Sequence, residues 1–161
     1  MRTVFILLFV FFSVNILAQK TTWYDNNWKE VKQTEAVFYV PMPKKVKNGY
    51  WIVKFYKNGN RYLEGYSSNS KINNELFEGI VNYYDINGTL SKKVSYKNGI
   101  INGPKRTYFK TGELQSLGRF KNGKENGVWK TFYKNGKIKT RGKYKNGEKV
   151  GVWKTFYKNV Y

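Results

Sequence analysis

Few residues in this chain could make or break bonds. There is no His and no Cys, and ten Asp and Glu stand against thirty Lys and Arg. The common general bases, nucleophiles and soft metal ligands are therefore missing. Glu75 and Glu78 are close enough in sequence for an acid/base pair or Ca²⁺, but they sit in a polar stretch where carboxylates are ordinarily just solvated. No Asp-x-Asp-x-Asp-Gly loop supports calcium. The recurring Lys-Asn-Gly triplets look like phosphate cradles only until their context is read. They lead into strand-like segments rather than helix N-termini, and no Gly-Lys-Ser/Thr follows. We read the chain as a non-enzyme without metal or cofactor, whose function is binding. A net charge of +20 makes any partner selected by charge an anionic one.

Those cations and the aromatic residues among them recur with a period. The stretch from Gly127 to Val150 alternates in two runs around Asn135-Gly136, and the same unit stands 24 residues earlier from Gly103 and again from Gly79. Asn-Gly favours a two-residue type I′ turn because both residues tolerate positive φ. The reading is all-β: an elongated, twisted, single-layer antiparallel sheet of tandem 24-residue β-hairpins. The units run 49–78, 79–102, 103–126 and 127–150, with a partial copy over 151–161. A second Asn-Gly turn, Asn146-Gly147, joins one hairpin to the next.

Counting outward from Asn135-Gly136 divides the side chains between two faces. Tyr133 is expected opposite Ile138, Thr131 opposite Thr140, and Trp129 opposite Gly142, whose missing side chain leaves room for the indole. With Tyr144, Trp153 and Tyr157, these residues form the expected repeat core. Trp129 and Trp153 should recur about every 9 to 10 Å along the array. The other face places Lys130 opposite Arg141, Val128 opposite Lys143, and Phe132 opposite Lys139 as a cation–π pair. Like charges directly opposite one another are destabilising unless that face stays in water or meets an anion. Lys130, Phe132, Lys139, Arg141, Lys143, Lys154 and Phe156 are thus the expected partner-binding or anion-binding face.

The remaining segments frame this array. Arg2, the apolar run 4–14 and the small residue Ala18 have the layout of a secretory signal peptide over 1–18, cleaved before Gln19. The run is short for a membrane span, no comparable run follows, and the mature chain is expected outside the cytoplasm, in the periplasm, at the outer surface or secreted. Residues 19–48 read as a hairpin with its turn at Asp25-Asn26-Asn27, followed by a strand or short helical turn, and cap the first hairpin of the array. The polar insertion from Ser67 to Asn74 reads as a surface loop and a possible recognition element. At the far end, Val160 stands where a turn glycine belongs. The strand from Gly151 to Lys158 is then an edge, blunted by Lys154 and Lys158 but open to a partner or a second copy.

The pattern Gly127, Trp129, Tyr133, Asn135, Gly136, followed by Gly142, Tyr144, Asn146 and Gly147, resembles the bacterial variant of the MORN repeat. The resemblance covers Gly49 to Tyr161 and is strongest in the three in-phase copies. Trp23, Tyr24, Asp25, Trp28, Ala36 and Tyr39 also resemble the region preceding such repeats in exported proteins of the Bacteroidetes type. The resemblance implies a rod of hairpins acting as an interaction module, with no catalytic residues to carry over. Such proteins are often labelled antitoxin components, although a signal peptide would separate this chain from a cytoplasmic toxin. The expected partner is another protein in the cell envelope, with anionic glycan or lipid headgroups as the alternative and antitoxin-like neutralisation as a second. Export removes nucleic acid as a natural ligand.

Overall fold

The computed structural model describes residues 20–157. The expected signal segment 1–18 with Gln19 after it, and the terminal Lys158, Asn159, Val160 and Tyr161, lie outside the described residues. Within them the chain is all-β, without a helix. It begins with β1 (Thr21–Tyr24), β2 (Phe38–Pro41) and β3 (Lys44–Val46). The hairpins follow as β4 (Gly49–Tyr56), β5 (Arg61–Ser67), β6 (Phe77–Tyr84), β7 (Leu90–Lys97), β8 (Ile100–Tyr108), β9 (Leu114–Lys121), β10 (Lys124–Phe132), β11 (Ile138–Lys145) and β12 (Glu148–Thr155). All twelve join one antiparallel sheet in the order β1-β2-β4-β5-β6-β7-β8-β9-β10-β11-β12, with β3 also paired to β4. The expected single-layer array of hairpins is what the chain forms.

Two kinds of turn build it. Asn98-Gly99, Asn122-Gly123 and Asn146-Gly147 have positive φ at both residues and join Lys97 to Ile100, Lys121 to Lys124 and Lys145 to Glu148 as two-residue type I′ turns. Asn135-Gly136 is not one of these. Only Gly136 has positive φ there, the Gly136 N–H donates to Tyr133 O at 2.9 Å, and the Tyr133 N–H donates to Lys137 O at 2.8 Å. This is a three-residue loop, a type I turn closed by a glycine bulge. The same bonds recur at Tyr56/Asn60, Asp85/Thr89 and Phe109/Glu113.

Each hairpin carries a second irregularity. Thr131 pairs with Thr140 but Phe132 pairs with Ile138, so Lys139 has no partner in the ladder of its own hairpin. Tyr62, Ser91 and Gln115 are bypassed in the same way. The expected pairs Tyr133 with Ile138 and Phe132 with Lys139 are therefore not formed. A bulge at one position in every hairpin adds twist to the return strand.

The buried core lies at one end. Ile52, Leu63, Phe77, Val81, Tyr83 and Val94 form one cluster; Tyr24, Phe38 and Val40 form a second. Trp28 packs against the second, and Ile72 of the segment 68–76 packs against both. That segment folds over the sheet rather than projecting as a surface loop. Asn73 Nδ2 donates to Trp28 O at 3.0 Å, and Lys54, itself buried, reaches Glu75 at 2.7 Å and Asn73 Oδ1 at 3.1 Å. Glu78 accepts the Asn98 N–H at 2.6 Å. The two acids weighed as a catalytic pair are thus employed separately, one neutralising a buried lysine and the other holding a turn.

Candidate functional site

Among the described residues no element covers the sheet from β8 onward, and each face displays what the register puts there. Adjacent strands bring Lys93, Arg106, Leu117, Lys130, Arg141 and Lys154 opposite one another in succession, one residue from each of β7 to β12. Beside this row, Pro104 pairs with Arg119, Val128 with Lys143, and Lys143 with Val150. Side chains two apart on a strand share a face, so the rows lie side by side. They line two adjoining depressions. One of about 420 Å³ is bordered by Pro104, Arg106, Leu117, Arg119, Val128, Lys130 and Arg141. The other, of about 510 Å³, is bordered by Val128, Arg141, Lys143, Val150, Val152, Lys154 and Phe156. Val128 and Arg141 belong to both, which makes a single trough across β8 to β12.

Five of the residues expected on the binding face, Lys130, Arg141, Lys143, Lys154 and Phe156, meet in this trough. Phe132 and Lys139 do not line it. The bulge at Lys139 breaks their pairing, and the Lys139 ammonium lies 5.8 Å from the Tyr133 ring instead. Arg106, Arg119, Leu117 and Pro104 were not singled out from sequence. Carrying the Lys130–Arg141 register back one unit, over the Thr-Gly turn at Thr111-Gly112, would have found them.

Among the described residues no carboxylate borders the trough, while six cations do: Arg106, Arg119, Lys130, Arg141, Lys143 and Lys154. Between them stand apolar groups, and Val152 is 80% exposed. Pro104 pairs with Arg119 across β8 and β9, and Val128, Lys143 and Val150 follow one another across β10 to β12, so within each set apolar and basic groups alternate from strand to strand, about 4.8 Å apart. Such a surface can hold an anion against cations while burying an apolar side chain beside it.

The opposite face carries the aromatic residues. Phe120, Trp129, Tyr144 and Trp153 follow one another at centroid separations of 5.4, 5.4 and 5.0 Å, each ring near-perpendicular to the next. Trp129 lies over Gly118 of the preceding strand, where a Cβ would come within 2.2 Å of the indole, and its Nε1 donates to Arg119 O at 3.3 Å. The space above Gly142 is filled by Trp153. Trp129 was expected above Gly142, its cross-strand partner, and the ring leans the other way. Trp129, Tyr133, Ile138, Tyr144 and Trp153 are half-buried and Gly142 is buried. Tyr157, expected in the core, is 85% exposed. An open single layer has no second layer to cover these rings, so they form a ladder rather than a core.

A row of hydroxyls runs beside the ladder: Thr107, Ser116, Thr131, Thr140 and Thr155 pair in succession across β8 to β12. Thr107 with Ser116, and Thr131 with Thr140, share hydrogen bonds of 2.6 Å.

The backbone also gives the array its period. The turn glycines Gly99, Gly123 and Gly147 donate to the carbonyls of Phe77, Ile101 and Glu125, so each connecting turn is tied to the start of its own unit. No curated protein matches the chain. Residues 77–98, 101–122 and 125–146, windows that open on those three acceptor residues, each match the MORN repeat variant, so this part of the sheet is built of tandem MORN-variant repeats, which suggest a module for protein or membrane binding.

Proposed function

We propose that the protein is a non-enzymatic binding module that holds an acidic, partly apolar segment of another protein in the trough across β8 to β12. The observation that carries this reading is the lining itself: among the described residues, six cations, no carboxylate, and apolar side chains interleaved with the charges. A lipid headgroup or a purely anionic polymer would use the cations and leave Pro104, Leu117, Val128, Val150 and Val152 without a role. An acidic peptide with apolar residues uses both. The apolar run 4–14 behind Arg2 supports export, which puts this partner in the cell envelope or outside it. Antitoxin-like neutralisation would require a partner in the same compartment.

The test titrates the protein with a synthetic peptide of alternating Glu and Val, a Glu-Ser peptide of the same charge, and vesicles containing anionic lipid. Tighter binding of the Glu-Val peptide than of the Glu-Ser peptide, weakened by salt, supports the reading. Equal binding of both peptides, or binding to vesicles alone, contradicts it. N-terminal sequencing of the protein recovered outside the cytoplasm should begin near Gln19, and an intact Met1 form confined to the cytosol would refute export.

A further inference from the structure

We infer that the aromatic face is a second, independent site, which takes a carboxylate-bearing β-1,4-linked glycan. The centre of the Trp129 indole is what would meet a Cβ on Gly118, and the Trp153 indole meets Gly142 in the same way. Each indole therefore lies with one ring face against a glycine backbone, and the Lys149 ammonium stands over the Trp153 ring, 4.7 Å from its centre. Phe120 and Tyr144 stand at 71° and 69° to the Trp129 ring, forming walls on either side of it, and Tyr144 stands at 80° to Trp153. A flat apolar floor between upright rings fits the C–H face of a pyranose better than a branched aliphatic side chain.

The spacing selects the linkage. Trp129 and Trp153 occupy equivalent positions two strands apart, about 9 to 10 Å, a repeat that matches the distance at which a β-1,4-linked chain presents the same face of every second sugar, with the intervening sugar passing over the edge of the Tyr144 ring that stands between them. An α-1,4-linked chain of gluco-configured sugars, joined axial to equatorial, coils and does not keep that repeat. Polar groups stand alongside. Thr131 and Thr140 occupy the same face one side-chain step from Trp129 and Gly142, and their mutual hydrogen bond uses one of their two hydroxyl protons. The other proton and the remaining lone pairs are left for sugar hydroxyls.

Charge complementarity makes the glycan acidic. The ladder is bracketed by two cations, with the Lys105 ammonium 5.4 Å from the centre of the Phe120 ring and the Lys149 ammonium 4.7 Å from that of Trp153. Both are mobile side chains able to turn from a ring to a carboxylate. Glu125, which pairs with Phe120, is the one acid beside this ladder among the described residues.

The experiment uses tryptophan fluorescence and calorimetry with hexamers of β-1,4-mannuronate, α-1,4-glucuronate and neutral β-1,4-glucose. The β-linked acidic hexamer should bind at least tenfold tighter than either of the others. Trp129→Leu, which still covers Gly118 but offers no ring, should lose at least tenfold, with an unchanged circular dichroism spectrum as the folding control. If that variant misfolds, Trp153→Leu at the far end gives the same reading. Arg141→Glu, on the opposite face, should leave glycan affinity unchanged while weakening the acidic peptide, so the two sites fail separately. Equal affinity for the two acidic hexamers, no binding at all, or loss with Arg141→Glu but not with either tryptophan variant overturns the proposal.

Discussion

Trp129 is directly opposite Gly142, yet its indole rests over Gly118 on the other neighbouring strand, and Trp153 takes the space that Gly142 leaves. Each tryptophan thus leans back across the junction between hairpins. The aromatic rungs clamp one repeat to the next rather than closing a single hairpin.

Gly142→Ala is expected to destabilise the protein by about 1 to 3 kcal/mol, because a methyl placed 2.1 Å from the Trp153 ring has to displace it. Gly127→Ala, with nothing within 4 Å of its Cβ, disturbs no ring and is strained only through its φ of +81°. Urea denaturation gives the loss, and near-ultraviolet circular dichroism separates the two variants. A tryptophan signal changed by the first and not by the second is the expected outcome.

The outline of this arrangement was legible in the sequence. Alternation, Asn-Gly dipeptides and a fixed period specify an open sheet of hairpins, and pairs such as Lys130 with Arg141 follow from counting. The miscounts have one origin. Asn135-Gly136 and Asn146-Gly147 are the same dipeptide, but Tyr133 and Lys137 close a three-residue loop around the first and Lys145 and Glu148 a two-residue loop around the second. The flanking residues do not announce the difference. The bypassed Lys139 then breaks the expected pairing of Phe132 with Lys139, and the direction in which an indole leans is invisible to pairing rules. Likewise, Ser67 to Asn74 reads as a polar insertion, because what fixes the segment over the core is the tertiary pair Lys54 and Glu75.

That pair gives a second prediction. The Lys54 and Glu75 side chains are 5% and 8% exposed, so removing one charge strands the other. Glu75→Gln is expected to cost about 3 to 5 kcal/mol, and the double change Lys54→Met with Glu75→Leu distinctly less. Burial lowers the Lys54 pKa, with Glu75 acting against it. Between that lowered pKa and 10.5 the unfolded chain binds more protons than the folded one, so this group's contribution to stability rises with pH. Removing Glu75 widens the window, and the deficit of Glu75→Gln should narrow as pH approaches 10. Denaturation curves from pH 7 to 10 measure it.

The tyrosines behave in the opposite sense at higher pH. Burial raises the Tyr83 hydroxyl far above its ordinary value of 10.0, with further contributions from Tyr96, and burial likewise raises Tyr62 and Tyr96. Above pH 10.0 the unfolded chain ionises these groups while the folded chain keeps them protonated, so stability falls as pH rises. The tyrosinate absorbance of Tyr62, Tyr83 and Tyr96 should appear only with loss of sheet structure. Tyr83→Phe gives up the 2.6 Å bond to the Tyr96 hydroxyl, yet should reduce the alkaline sensitivity.

The most direct measurement of the central claim, that the register assembles the cations of β8 to β12 into one binding trough, is a matched pair of charge reversals. Lys130→Glu with Arg141→Glu and Lys134→Glu with Lys137→Glu change the net charge equally, but only the first pair lines the trough. Affinity for the Glu-Val peptide should fall at least tenfold in the first variant and stay within about twofold in the second, because exposed charges more than about 10 Å away are largely screened at moderate salt. Equal losses in both variants would mean that net charge alone attracts the peptide, and would contradict the account.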